Sequence, residues 1–125
     1  WGNNLSDDQI KSLIAYIRSK QRTEPVELDN SPLAGNPEKG EQIFEICARC
    51  HGNNGGGYQE SAPGTGIARK GFLEAASNGF LRYVIAHGKS QTPMRAFDDS
   101  ARMAVANLSD KEIEHVTAYM RHNAW

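Results

Sequence analysis

Cysteine is scarce in this sequence. The two present, Cys47 and Cys50, lie in one C-x-x-C stretch, so a bond between them would close too small a loop to staple distant segments. Charge of one sign is missing too. The 14 Lys and Arg residues are spread along the chain and nearly matched by 15 Asp and Glu, so the net charge of −1 makes no electrostatic case for nucleic acid or an anionic lipid surface. No apolar run approaches the ~18 residues of a membrane-spanning helix. The opening stretch WGNNLSDDQI has no basic region followed by an apolar one. No signal peptide is therefore expected, and an exported protein would be represented by its mature form or a piece of it. Aromatics are only 8% of 125 residues, which suits one domain with a modest core.

What is present is helical periodicity. LSDDQIKSLIAYIRSK places Ile10, Leu13, Ile14 and Ile17 on one helical face, and Ser6 with Gln9 forms a capping box. LSDKEIEHVTAYMRH repeats the plan, with Ser109 and Glu112 as the box and Ile113, Val116 and Met120 as the apolar face. Asn36-Pro37 is a third start signal, an N-cap followed by proline at the first helical position, and it leads into EKGEQIFEICARC. Shorter helices are predicted over Gly71 to Ala76, Asn78 to Ala86 and Asp99 to Ala106. No alternating β-branched run competes, so the fold class is all-α. Thr23 to Pro37 carries three prolines in fifteen residues and reads as a linker.

The two capped helices resemble one another beyond their pattern. Asn4–Arg18 and Asn107–Arg121 share eight identities in fifteen positions at an offset of 103 residues. Chance would give about one, and the offset is about one small domain. The organisation this suggests is residues 1–22 as the closing helix of a preceding, similar domain, 23–35 as a linker, and 36–125 as a domain of its own. The plainer alternative is two independently capped amphipathic helices that share common residues.

The chemistry concentrates in ICARCHGNNGGGY, where Cys47, Cys50 and His51 fall within five residues. A zinc site needs four ligands, and His87, His115 and His122 stand at no zinc-finger spacing from this group. A thioredoxin-like redox pair follows a strand in a βαβ pattern, which is not predicted here. Covalent haem needs two thiols for the two vinyl groups of one porphyrin and a histidine beneath the iron. C-x-x-C-H meets that need with no remote partner. One candidate for a second axial ligand is Met94 in GKSQTPMRAF, where Pro93 stiffens the loop and Gly88 ends the preceding helix, so that the loop can approach the face opposite His51. Met103 and His87 are the other candidates. Met120 is expected to pack on a core face, and His115 and His122 to be solvated helix residues.

GEQIFEICARCHG, then TPMRAF, then LSDKEIEHVTAYMRHNAW resembles the bacterial class I c-type cytochromes, in particular the C-terminal haem domain of a two-haem cytochrome c, over roughly Asn36 to Trp125. The resemblance implies an all-α class I cytochrome c fold wrapped around one covalent haem c. Here it would carry an extra N-terminal amphipathic helix. It implies thioether links to Cys47 and Cys50, iron ligation by His51 and Met94, and assembly outside the cytoplasmic membrane, in the periplasm. It also implies a proline carbonyl accepting from the ring N–H of His51, with Pro63 at the matching position. Tyr58, Arg69 and Arg95 lie in segments that would flank the haem propionates. One feature departs from the family. Phe44 to Cys47 is three steps where related sequences have four, which turns Gly40 and Phe44 by about 100° relative to the cysteines. Either the helix should end early in a tightened turn, or Ile43 should take the aromatic's packing place.

Six ligands on the iron leave no position for substrate. The expected function is one-electron transfer to and from redox partner proteins by a chain that is not an enzyme. The competing expectation is a haem-based sensor or peroxide-active protein with a labile distal ligand. The face of Ile10, Leu13, Ile14 and Ile17 must be covered by its own haem domain, by a missing neighbouring haem domain, or by a second copy in a homodimer.

Overall fold

In the computed structural model, which describes residues 4–101 and 105–125, five α-helices follow one another. They are α1 (Asp7–Ser19), α2 (Pro37–His51), α3 (Lys70–Ala75), α4 (Asn78–His87) and α5 (Asp110–His122), with a 3-10 turn at Gly57–Glu60. The only β-type pairing among the described residues is an isolated parallel bridge between Asp98 and Leu108. The starts are those the local chemistry sets. Both capping boxes close, at Ser6 with Gln9 and at Ser109 with Glu112, and Asn36 caps α2 through the backbone N–H of Lys39.

α2 and α5 cross at Gly40. A Cβ built there would lie 2.0 Å from the His115 carbonyl oxygen and 2.7 Å from Tyr119 Cβ, so only glycine lets the backbones meet this closely. One turn along, Phe44 is 3% exposed and its ring lies 5.1 Å from that of Tyr119. Neither consequence expected of the short Phe44–Cys47 spacing occurs. α2 runs unbroken to His51, and Ile43 is only half-buried beside the core. The Gly40 contact fixes the rotation of α2 about its axis, so the one-residue difference is taken up by the cysteine end. Ile113, Val116 and Met120 of α5 complete the core with Leu73, Leu81, Ile85, Phe97 and Leu108.

The helix predicted over Asp99 to Ala106 does not form where the chain is described. Residues 99–101, 105 and 106 lie in turns and bends, and Met103 falls outside the described residues. The backbone is engaged elsewhere. Leu108 N–H donates to the Phe97 carbonyl, Asp99 N–H to the Leu108 carbonyl and Val105 N–H to the Ala96 carbonyl. The Asp98 carboxylate accepts from the Ser100 N–H and hydroxyl, a local bond of the kind that competes with helix. His115 also departs from expectation: it is buried, and its Nδ1 accepts the Asn36 N–H at 2.9 Å.

The second half of the 23–35 segment lies against the helices. Arg82 of α4 pairs with Glu114 of α5 and donates to the carbonyls of Asp29 at 2.7 Å, Ser31 at 3.1 Å and Pro32 at 3.3 Å. Asn30 accepts the Gly79 N–H, and Glu114 the Ala34 N–H. Arg121 ties α5 to the α3–α4 turn through the carbonyls of Leu73 and Ala76 and the Asn78 side chain. α1 has no buried residue.

Candidate functional site

Cys47, Cys50 and His51 ride on the last turn and a half of α2. One rigid element therefore carries both thiols and the ring. Both cysteines are free thiols, Cys47 half-buried and Cys50 exposed. Burial pushes the Cys47 thiol up to about 11, and the neighbouring Cys50 adds in the same direction, so it sits in apolar surroundings as a neutral thiol. His51 Nδ1 lies 2.7 Å from the Thr65 carbonyl oxygen. A carbonyl can only accept, so Nδ1 carries the proton and the Nε2 lone pair is left for a ligand bond.

The carbonyl on His51 therefore belongs to Thr65, where the family pattern pointed to Pro63. The reason is local: Gly64 N–H donates to the Cys50 carbonyl at 2.6 Å, which pins the loop one residue beyond the proline and turns the Thr65 carbonyl onto the ring. Two residues with no motif signal hold this loop. The Glu60 carboxylate accepts the N–H groups of Asn54 and Gly56, and these bonds keep its pKa below the ordinary range. Trp125 donates its indole N–H to the Asn54 carbonyl at 2.9 Å and its backbone N–H to the Ala68 carbonyl at 3.1 Å.

Met94 is half-buried and packs against the core cluster. Its loop is closed by Lys89 N–H to the Met94 carbonyl at 2.9 Å and by Met94 N–H to Thr92 Oγ1 at 3.2 Å. A surface groove beside it is lined by His87, Lys89, Thr92, Met94 and Arg95. The His87 ring, exposed, packs against Tyr83 in a tilted arrangement, with ring centroids 4.5 Å apart. His115 has its Nδ1 lone pair engaged by Asn36, and Met120 is in the core, so neither is a ligand candidate. Tyr58 is exposed on the 3-10 turn, Arg69 lies over the Trp125 ring at 5.6 Å, and Arg95 is exposed next to Met94. Among the described residues no three His, Cys, Asp or Glu side chains gather as a metal cluster, which a zinc site would need.

The donor set fits a covalent haem. Two unpaired thiols, a histidine with a free Nε2 and a loop methionine are present, and Ile43, Ile46, Ile67 and Phe72 leave part of their apolar surface uncovered at the core's edge. The cytochrome c family model matches residues 37–124, and the chain belongs to that family. It is a class I c-type cytochrome, whose cofactor is covalently bound haem c with its iron. The chain is 28% identical to cytochrome c4 of Thiocapsa roseopersicina over 94% of its own length and 60% of that protein. It is 27% identical to the cbb3-type cytochrome c oxidase subunit CcoP of Helicobacter pylori over 86% of its length and 38% of that subunit. It thus spans between about two-fifths and three-fifths of these relatives. Among solved structures, cytochrome cL of Methylophaga aminisulfidivorans shares the fold at a TM-score of 0.57 and 21% identity, over 84% of this chain and 71% of that one. A reducing HAO-like protein complex of Kuenenia stuttgartiensis shares it at a TM-score of 0.61 and 20% identity, over 97% of this chain and 62% of that one. No helix among the described residues is long and apolar enough to cross a membrane.

Proposed function

We propose that the chain passes single electrons through one haem c, held by thioether links to Cys47 and Cys50, with His51 Nε2 and Met94 Sδ as the axial ligands. The observation that carries this is the 2.7 Å bond between His51 Nδ1 and the Thr65 carbonyl. It fixes the tautomer that presents Nε2, holds the ring against rotation and makes Nε2 a stronger donor. Haem c, when bound, supplies the one-electron couple. The loop closed by the Lys89 N–H bond to the Met94 carbonyl would hold Met94 at the haem, and a thioether there would favour the reduced state relative to a second histidine. Arg95, Arg69 and Tyr58 are the candidate donors to the propionates. With His51 and Met94 both holding the iron, no site would be open for substrate. The chain is on this reading a carrier and not an enzyme, working outside the cytoplasmic membrane, in the periplasm, between protein donors and acceptors.

Optical spectra of the holoprotein, oxidised and reduced, with and without carbon monoxide, test the ligation in the parent and in Met94→Ala. A low-spin parent that ignores carbon monoxide, beside a variant that binds it, is expected. A parent that binds carbon monoxide has a labile distal ligand and is a sensor or peroxide-active protein. A variant that stays low-spin and unreactive has another distal ligand.

A further inference from the structure

Glu60 closes the 3-10 turn Gly57–Glu60, and its half-buried side chain folds back over the start of the loop that follows His51. A Cβ built at Gly52, the residue after His51, would lie 2.7 Å from Glu60 Cδ. One carboxylate oxygen accepts the Asn54 N–H at 3.0 Å and the Asn54 side-chain amide at 3.3 Å, and the other accepts the Gly56 N–H. Two main-chain donors thus converge on one anion. Only an ionised carboxylate offers both oxygens as acceptors. An amide, or a protonated acid, would turn a donor of its own on one of those N–H groups. Charge-assisted bonds of this kind are also about twice as strong as neutral ones.

The stretch that Glu60 grips backs the acceptor of the His51 ring. Between the two gripped N–H groups lies Gly55, whose carbonyl accepts the N–H groups of Ile67 at 2.8 Å and Ala68 at 3.1 Å. Gly57, next after Gly56, abuts the turn opposite: a Cβ there would lie 2.4 Å from the Thr65 carbonyl carbon and 2.3 Å from the Gly66 nitrogen. The Thr65 carbonyl, on His51 Nδ1 at 2.7 Å, is therefore held from two sides. Before it, the Gly64 N–H is on the Cys50 carbonyl; after it, Ile67 and Ala68 are on Gly55. Glu60 reaches His51 through main-chain contacts alone. Three consecutive glycines, Gly55 to Gly57, give the gripped stretch little stiffness of its own, so its shape depends on the carboxylate.

We propose that Glu60 is a positioning residue for His51: its carboxylate fixes residues 54–57 so that the Thr65 carbonyl stays on Nδ1, and through that bond it sets the donor strength of Nε2 and the reduction potential. This rests on the reading of His51 as an iron ligand and not on the identity of the distal one. The sign follows from the bond. A firm Nδ1–H bond to a carbonyl makes Nε2 the stronger donor, and a stronger donor stabilises the oxidised iron. Slackening the Glu60 grip therefore raises the potential.

Glu60→Gln and Glu60→Asp in the holoprotein separate position from charge, because aspartate keeps the charge but is one methylene too short to span both N–H groups. Potentiometric titration reads the potential. Nuclear magnetic resonance reads the exchange of the His51 Nδ1 proton and, in the oxidised protein, the hyperfine-shifted resonances of the His51 ring. Both variants should raise the potential and speed that proton's exchange by roughly tenfold, with protection lost at Ile67 and Ala68 and kept in α2 and α5. A parent without shifted His51 resonances removes the reading of His51 as a ligand, and the proposal with it. Shifted resonances in the parent, with potential and exchange unchanged in both variants, overturn the proposal alone. So does a potential that rises in Glu60→Gln and not in Glu60→Asp, since Glu60 would then act by its charge. Protection lost equally through α2 and α5 would make Glu60 a general stability residue and overturn it too.

Discussion

Replacing Gly40 by alanine sets two effects of opposite sign against each other at the α2–α5 crossing. In a helix interior alanine is favoured over glycine by about 0.5–1 kcal/mol. Against that, the new Cβ would stand 2.0 Å from the His115 carbonyl oxygen, 2.6 Å from its carbon and 2.7 Å from Tyr119 Cβ. Two of those atoms are backbone in the middle of a helix and cannot rotate away. Restoring an ordinary separation of about 3.5 Å requires the helices to part by more than about 1 Å, which loosens Phe44 against Tyr119 and opens the seam at Val116. Overpacking of this kind costs about 1–3 kcal/mol, and the rigid obstacle favours the upper end. The net loss is about 1–2 kcal/mol, or about 5–15 °C in melting temperature for a domain of this size. Gly71 is the control, because a Cβ added there would meet nothing within 4 Å: Gly71→Ala in α3 should gain up to about 1 kcal/mol. Thermal and guanidinium unfolding of both variant holoproteins, followed by far-UV circular dichroism, reads the two signs. A Gly40→Ala protein as stable as its parent would refute the close crossing, and with it the account of how α2 keeps its rotation despite the short Phe44–Cys47 spacing.

Arg121→Met keeps the aliphatic stem but leaves the Leu73 and Ala76 carbonyls without their charged donor, so urea unfolding should show a loss of about 2–3 kcal/mol. A midpoint unchanged within error would mean that water serves those carbonyls equally well. Burial alone would raise the pKa of Glu114, but the Arg82 hydrogen bond, the Ala34 N–H and the Arg82 charge together hold it below the ordinary 4.5. A carboxylate depressed in the folded state stabilises fully above its unfolded pKa and loses that contribution as pH falls through the folded one. The protection of the Ala34 and Gly79 amides, their exchange rate relative to that of the unfolded chain at the same pH, should therefore fall below about pH 4.5, and Glu114→Gln should flatten that dependence; identical profiles would sever the 29–35 segment from the Arg82–Glu114 pair. Trp125→Phe keeps a ring under Arg69 but drops the bond to the Asn54 carbonyl, worth about 0.5–1.5 kcal/mol. Nuclear magnetic resonance should then find the His51 Nδ1 proton exchanging faster, whereas an unchanged rate would show that the C-terminus does not steady the Thr65 carbonyl.

What could be read from the sequence is what local chemistry decides. Ser6 with Gln9, Ser109 with Glu112 and Asn36 with Pro37 start helices because the capping partners lie within three residues of one another. The same locality makes Cys47, Cys50 and His51 legible as one group. The misreadings all involve residues whose role is set from a distance. His115 looks like a polar helix residue until Gly40 brings α2 against it and the Asn36 N–H needs an acceptor. Asp99 to Ala106 has helical spacing, yet Leu108 donates its N–H to the Phe97 carbonyl and accepts the Asp99 N–H on its own, which draws the described residues of that segment into turns. Pro63 occupies the family position, but the Gly64 bond to the Cys50 carbonyl decides which carbonyl reaches His51, and that depends on the loop's path and not on the count along it. Glu60, Arg82 and Trp125 bear no motif because each bonds main-chain groups, which any sequence offers. The short Phe44–Cys47 spacing is the instructive case. Read along the chain it predicts a displaced aromatic or a broken helix. In three dimensions a buried contact at Gly40 resists rotation far more than a half-exposed cysteine does, so the adjustment falls where packing is loosest, at the end of α2 that carries the thiols.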